Sequence, residues 1–474
     1  MQQVNASNAP IENRAKFSSG IAVFLATLSS AIGLGNIWLF PYLTGMGGGA
    51  TFILLYCIFI VLVGLPIFVC ELFIGRKTRK NVVGAYSALA SKQPWKKIGF
   101  VGILATFTLL PFYSTVGGWV YSYVFKSLIG TFNGASLEFV KSEYIRSVSS
   151  PITPILWQFG VITVVAVVLI LGVKNGIEKI AKLLMPILMA LVILCGVRSL
   201  FLPNSIEGLK FLFKFDFSTI TPTVVLSALG LAFFKLSIGS GCMVTYGSYF
   251  TDDNKLINTG AKVATADTMV SLLAGIAIFP AVFAFGMQPT EGPGLLFMTM
   301  PLVFSKMMFG NILMVAFFFI TSIAATTAMI SIAEVPVAYF SEELKLSRTK
   351  SVILVFSIVM SIGIFTTLSA NEYGVLGNFL ILGKTIFDLL QYVYSNILLL
   401  LAGFLTSLFI GYKINKDEVY TELSNNGTLN VKKYVSVLFI FMKYFVPFLI
   451  LLTFLNSTGI IDKIVYLINN FNSM

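Results

Sequence analysis

The chain has 474 residues, 57% of them hydrophobic and 11% charged, with mean hydropathy +0.90 and a formal net charge of +12. A soluble globular fold is hard to sustain at that composition, and the lack of any histidine excludes imidazole ligation of zinc or haem. The four cysteines, Cys57, Cys70, Cys195 and Cys242, all fall inside apolar segments and read as small buried hydrophobes, not a disulfide framework.

Apolar segments long enough to cross a bilayer recur along the whole chain. Eleven are expected, at about 20–44, 51–75, 98–129, 154–172, 179–201, 219–249, 257–286, 304–341, 349–368, 385–411 and 433–460. The residues before Gly20 are polar and carry no signal-peptide pattern, so the first segment is retained as a span. The chain is therefore read as one integral domain in a lipid bilayer. Alternate loops are basic: residues 76–97 carry Arg76, Lys77, Arg79, Lys80, Lys92, Lys96 and Lys97 with no acid. The positive charge is thus topology, not nucleic-acid affinity. It puts residues 1–19 in the cytoplasm and the C-terminus outside the plasma membrane.

Two spans are interrupted near their middles. The first runs Thr27-Leu28-Ser29-Ser30-Ala31-Ile32-Gly33-Leu34-Gly35-Asn36, the sixth Phe234-Lys235-Leu236-Ser237-Ile238-Gly239-Ser240-Gly241. They lie five spans apart, the spacing expected of two inverted repeats at 20–201 and 219–411, followed by an eleventh helix and a short tail at 433–474. A single break is explained by glycines that let helices pack closely. Two in matching halves favour a binding site, because unwound backbone at membrane depth survives only where it is buried or lines a cavity. Lys235 sharpens the point. It is too far from either end of its span to snorkel, and an unpaired charge at midspan costs about 2.5–3.5 kcal/mol. Asp267, at comparable depth in the next span, is the expected partner.

Several stretches together resemble the neurotransmitter:sodium symporter family over nearly the whole chain. They are Ala31-Ile32-Gly33-Leu34-Gly35-Asn36-Ile37-Trp38-Leu39-Phe40-Pro41, Gly47-Gly48-Gly49-Ala50, and Val63-Gly64-Leu65-Pro66 through Glu71 to Gly75-Arg76. Phe112-Tyr113 with Trp119, Thr245-Tyr246-Gly247-Ser248-Tyr249, and Phe387-Asp388-Leu389-Leu390 to Ser395-Asn396 extend the likeness. The resemblance implies an all-α membrane protein of eleven helices with a LeuT-like five-plus-five inverted repeat. It also implies import of an amino acid or close analogue by alternating access. By the same resemblance, the amides of Leu34 and Gly35 and the hydroxyl of Tyr113 would meet a carboxylate. The backbone of Ala31 and Phe234, with the Ser237 hydroxyl, would meet an α-amino group. Leu109, Tyr113, Phe234, Ser240, Ala328 and Ile332 would form the side-chain pocket, the small Ser240 and Ala328 leaving room for a medium or large side chain. Gly33 stands where amine-transporting members carry an aspartate, which favours a substrate with its own carboxylate.

The departures from the family pattern concern ions and gates. The first sodium site of the family uses positions matching Ala31 and Asn36 with ligands on helices 6 and 7; here those two ligand positions are Lys235 and Asp267. A tethered ammonium is expected in place of that ion. Three roles for it stay open: a permanent structural pair, a direct clamp on the substrate carboxylate, or a proton-coupling device. Tyr56 and Ser271 match a chloride site, but Leu231 and Lys235 replace its other ligands, so chloride coupling is not expected. The second sodium site would use carbonyls of Ser29, Ile32 and Ala324 with the Thr327 hydroxyl; Ala328 supplies no second hydroxyl, and a one-residue shift would offer Thr326. One sodium ion at this second site is the expected cofactor. The outer gate pair of the family is replaced by Leu39 and Gln391, whereas Arg14, Phe17, Tyr249 and Glu342 resemble its inner gate. Gly176 and Pro186 match a fifth-helix motif linked to inward opening. Glu71, Glu334 and Asp388 read as buried hydrogen-bond hubs. Proton-coupled or uncoupled exchange, and a non-transporting ligand sensor on the same fold, are the alternatives. No phosphate loop, nucleophile–base set or metal cluster suggests an enzyme. Neither the substrate's identity nor the oligomeric state is written in the sequence.

Overall fold

A computed structural model describes residues 14–90, 94–286 and 295–460. The expected N-terminal segment is thus described from Arg14 onward, and the expected tail past Ile460 lies outside the described residues. Among the described residues nine unbroken helices are long and apolar enough to cross a membrane: Ala50–Thr78, Lys96–Leu128, Thr153–Ile170, Val173–Leu200, Leu256–Ala284, Gly310–Glu343, Arg348–Leu368, Ile386–Tyr412 and Lys432–Ser457. Gly20–Ala31 and Gly35–Met46, bent by 56° at their break, make a tenth span. Pro222–Lys235 and Cys242–Gly247 are each too short to cross; joined through residues 236–241, they occupy the place of the expected sixth span.

Two boundaries differ from the hydropathy reading. The fifth span starts at Val173 because polar Lys174, Asn175 and Glu178 enter it through a wide π-helical turn, Val173–Glu178, set up by Gly172 at φ 86°. The eighth starts at Gly310, since Phe304 and Ser305 belong to a separate helix, Leu295–Ser305, and Phe309 adopts a left-handed turn at φ 60°.

The third and eighth spans, Lys96–Leu128 and Gly310–Glu343, are the most enclosed and form the centre of the bundle. Pro111 interrupts the third span, and its carbonyl accepts hydrogen bonds from Ser114 Oγ (3.0 Å), Thr115 Oγ1 (2.9 Å) and Gln158 Nε2 (3.3 Å). Thr367 of the ninth span donates to Gln158 Oε1 at 2.8 Å. This polar clasp ties the third, fourth and ninth spans together beside Phe112 and Tyr113. Two further lysines within spans also have partners. Lys126 pairs with Glu143 at 2.8 Å, and Lys443 lies over the Tyr412 ring at 4.9 Å.

Candidate functional site

In the first span the α-helix ends at Ala31 because the amides of the next turn are drawn elsewhere. Gly33 N donates to Asn36 Oδ1 (3.1 Å), Leu34 N to the Tyr113 hydroxyl (2.8 Å) and Asn36 N to Gly33 O (3.1 Å). The carbonyls of Ser29 and Ile32 thereby lose the partners a continuous helix would give them. A Cβ at Gly33 would lie 2.5 Å from the Tyr113 hydroxyl, so a side chain there would require that contact to move. In the sixth span the helix stops at Lys235, and Ser237, Gly239 and Gly241 all take positive φ. Gly239 is obligatory here: besides φ 80°, an added Cβ would meet Leu399 O at 2.6 Å. Its amide donates to Glu71 Oε1 at 2.8 Å, and Ser237 Oγ donates to Ser30 O at 2.9 Å, the latter bond fastening the two breaks to each other.

Lys235 and Asp267 meet at the centre. Nζ lies 2.9 Å from Asp267 Oδ2, and both side chains are wholly shielded from solvent. The ammonium also donates to Ser271 Oγ and faces the rings of Phe40 (5.3 Å) and Tyr56 (5.4 Å). Asp267 accepts further bonds from Asn36 Nδ2 (2.7 Å) and Tyr56 Oη (3.3 Å). Each charge is therefore met by several partners, as a buried ion pair must be. The space that the resemblance assigns to the family's first sodium is filled here by these two side chains and does not fit an additional cation.

Two cavities adjoin the breaks. The inner one, of about 20 Å³, is lined by Ser30, Ala31, Gly33, Gly35, Leu109, Tyr113, Phe234, Lys235, Ser237, Ala328, Ile332 and Tyr394. Nearly all the predicted substrate contacts are thus brought to one place. None of the ammonium's partners, Asp267, Ser271, Phe40 or Tyr56, lines this pocket, and the Lys235 stem runs past Gly35. The stem faces the pocket while the charge sits behind it. Leu34 lines the outer cavity, and the Ser240 hydroxyl turns to Ser237 O at 2.6 Å. The room expected beside Ser240 and Ala328 is absent. Tyr394 of the tenth span joins the lining of the inner cavity, packed edge-on against Phe234 at 6.0 Å. Sequence reasoning missed Tyr394 because it lies in a π-helical turn, Val393–Leu398, whose extra residue shifts the helical face. The outer cavity, of about 330 Å³, opens above Phe234 and includes both altered gate positions, Leu39 and Gln391.

At the second ion position Thr327 Oγ1 donates to Ile323 O (2.9 Å) and retains its lone pairs, next to the carbonyl of Ala324. Thr326 is turned away, its hydroxyl bonded to Tyr121 Oη and Ser322 O, each at 2.7 Å. On the opposite side of the bundle from Leu39, Arg14 pairs with Glu342, donates to Ser248 Oγ (2.8 Å) and lies over the Tyr249 ring at 4.9 Å. Phe17 is bonded through its amide to Tyr249 O (3.0 Å) and packs edge-on against that ring. Tyr249 Oη donates to Glu334, which Arg348 grips with both of its terminal nitrogens (3.1 and 2.7 Å). Glu71 and Glu334 are buried hubs; Asp388 is not. It is exposed, and with Thr385 it caps the start of the tenth span. Glu178, which no motif singles out, accepts from Ser18 N at 2.8 Å and pairs with Lys182, tying the Arg14–Phe17 segment to the fifth span.

A model of the sodium:neurotransmitter symporter family matches residues 14–146 and 135–471. The chain belongs to that family. It is 37% identical over 447 residues to YhdH, an uncharacterized sodium-dependent transporter of Bacillus subtilis, with 94% of this chain and 98% of the relative covered. An uncharacterized sodium-dependent transporter of Haemophilus influenzae is 34% identical over 461 residues, with the same coverage. The fold is similar to that of MhsT in complex with L-phenylalanine, at TM-score 0.87 and 38% identity over 94% of this chain and 100% of that one. This symporter-family chain is therefore an all-α, LeuT-like, multi-pass membrane protein: a sodium-coupled transporter and not an enzyme.

Proposed function

We propose that the protein imports an amino acid or close analogue across the plasma membrane by alternating access, with one sodium ion at the second site. Lys235 and Asp267 permanently replace the first sodium. The observation that carries this reading is the fully buried 2.9 Å ion pair whose ammonium is committed to Asp267 and Ser271, away from the pocket. Because the pair is neutral as a unit, a zwitterionic substrate moves with a single net positive charge. The pair supplies a fixed charge where related carriers need a mobile ion. Its position argues for the structural role over a direct clamp on substrate.

The carboxylate of the substrate meets the amides at Leu34 and Gly35 after the Tyr113 hydroxyl releases Leu34. The amino group meets the carbonyls of Ala31 and Phe234 and the Ser237 hydroxyl. Sodium is held by the carbonyls of Ser29, Ile32 and Ala324 with Thr327. Chloride plays no part, since Tyr56 and Ser271 already serve the ion pair. Residues 20–201 and 219–411 act as the two repeats, with the N-terminus cytoplasmic and the C-terminus outside.

The test is uptake of labelled amino acids into proteoliposomes under a sodium gradient, a proton gradient or neither, with chloride present or replaced. The expected result is sodium-driven accumulation with hyperbolic sodium dependence, indifferent to chloride. Sigmoidal sodium dependence, or accumulation driven by protons alone, would overturn the one-sodium assignment.

A further inference from the structure

We propose that Tyr394 sets the upper size limit for the substrate's side chain and restricts this carrier to small, uncharged amino acids. The inference rests on the amino-acid reading above and deepens it. Three observations converge on this residue. The inner pocket, at about 20 Å³, is little more than the space a single water needs, about 10–15 Å³ by the same kind of measure. Phe234 lines both cavities and is only half-buried, so its swing admits a ligand from the outer cavity. Tyr394 lines the inner pocket and not the outer cavity and is 3% exposed; of the buried walls in that position, with Leu109, Ala328 and Ile332, it carries the largest side chain. Moving Phe234 makes room for the common amino and carboxyl groups; the room for a side chain is limited by Tyr394.

The exclusion of charge follows from what the walls lack. The outer cavity is lined by apolar residues and neutral ones such as Gln391, Asn396 and Asn456, with no ionisable acid or base among the described lining residues. The inner pocket's only charged lining residue among those described is Lys235, whose ammonium is already committed to Asp267 and Ser271. A charged substrate side chain would lose its hydration there without gaining a countercharge. A small hydroxyl is accommodated better. Ser30 Oγ is buried at the pocket with only the Cys242 thiol, a weak partner, beside it, so a polar ligand atom there would serve it better.

The test measures thermal stabilisation of the purified full-length protein by L-alanine, L-serine, L-leucine, L-phenylalanine and L-lysine, each in sodium and in potassium. The wild type is expected to respond in sodium to alanine and serine far more than to the others. In Tyr394→Ala, and in Tyr394→Val should the alanine variant unfold, leucine and phenylalanine gain at least about 10-fold in affinity relative to alanine, as added pocket space dictates. Tyr394→Phe keeps the wild-type order. Wild-type binding of phenylalanine or lysine as tight as that of alanine would overturn the proposal. So would an order unchanged in both enlarging variants. If no amino acid stabilises the wild type, the amino-acid reading falls, and the role of Tyr394 falls with it.

Discussion

On the proposed reading, the single side chain of Lys235 changes the ion requirement of a carrier without changing its fold. Its ammonium and the Asp267 carboxylate are both wholly enclosed, so neither is tolerable alone. Lys235→Thr leaves Asp267 buried and charged with only Asn36 and Tyr56 to serve it. Removal of one partner from such a pair costs about 3–5 kcal/mol, and we expect lost binding with a lower unfolding temperature in detergent. Lys235→Thr combined with Asp267→Asn removes both charges and recreates neutral oxygen ligands. That double variant should regain binding and show sigmoidal sodium dependence, read by titrating sodium against ligand-induced stabilisation. Recovery in Lys235→Thr alone would refute the pairing argument. The second ion position offers a complementary test, because Thr327 is its one proposed side-chain ligand and Ala328 has no hydroxyl. A bond to a charged group is worth about 1.5–3 kcal/mol. Thr327→Ala should therefore raise the sodium concentration for half-maximal uptake by roughly 10-fold or more, whereas Ala328→Ser should lower it.

The broken helices are held open by specific bonds, and glycine alone does not account for them. In the sixth span, Glu71 takes the amide of Gly239, and the backbone at Gly239 passes so close to Leu399 that no side chain fits. Gly239→Ala combines a left-handed φ with a 2.6 Å clash against backbone. It should cost about 1–3 kcal/mol, seen as a fall in unfolding temperature, and should abolish ligand stabilisation by displacing Ser237. Much of this is legible in the sequence. The interruptions at residues 32–34 and 236–241 stand out because a run of glycines and small polar residues weakens a helix where water cannot compensate the freed backbone. Lys235 and Asp267 are visible because isolated charges at that depth demand each other. What sequence could not supply is rotation about a helix axis. Tyr394 enters the pocket, and polar Lys174 and Asn175 enter the fifth span, through π-helical turns that break the regular period on which face assignments depend. The exposed placement of Asp388 escaped for a related reason: only the helix start at Ile386 shows that it belongs to a cap.

Across the whole molecule the two faces are closed to different degrees. Above the site lies a 330 Å³ cavity with Leu39 and Gln391 in its walls and no ion pair across it among the described residues; below, the Arg14–Phe17 segment is packed under Tyr246 and Tyr249. Arg76, buried against Glu422 and Asn254 O, pins the connecting loops on that same lower face to the second span. Opening below therefore requires the Arg14 segment to leave its partners, of which Ser248, Tyr246 and Tyr249 are buried and Glu342 is partly exposed. Glu342 is 35% exposed, so its ion pair with Arg14 is worth little by itself, and the stacking on Tyr249 adds a comparable amount. Arg14→Ala should shift the balance toward the lower-open form by about 1–2 kcal/mol, a factor of roughly 5–30. Cys242 is a native reporter of that shift. It is fully buried one turn above Tyr246, with Sγ 3.7 Å from Ser331 O, and becomes reachable from below only when this plug moves. In a background lacking Cys57, Cys70 and Cys195, Arg14→Ala should accelerate Cys242 labelling by a small thiol reagent by that factor. Sodium should slow it again, because its proposed ligands at Ser29 and Ile32 lie on the helix that must tilt away. Equal labelling rates with and without Arg14 would mean that the gate is held elsewhere, at Glu178 with Ser18 or at Glu334 with Tyr249, and the same labelling assay on Glu178→Gln would decide between them.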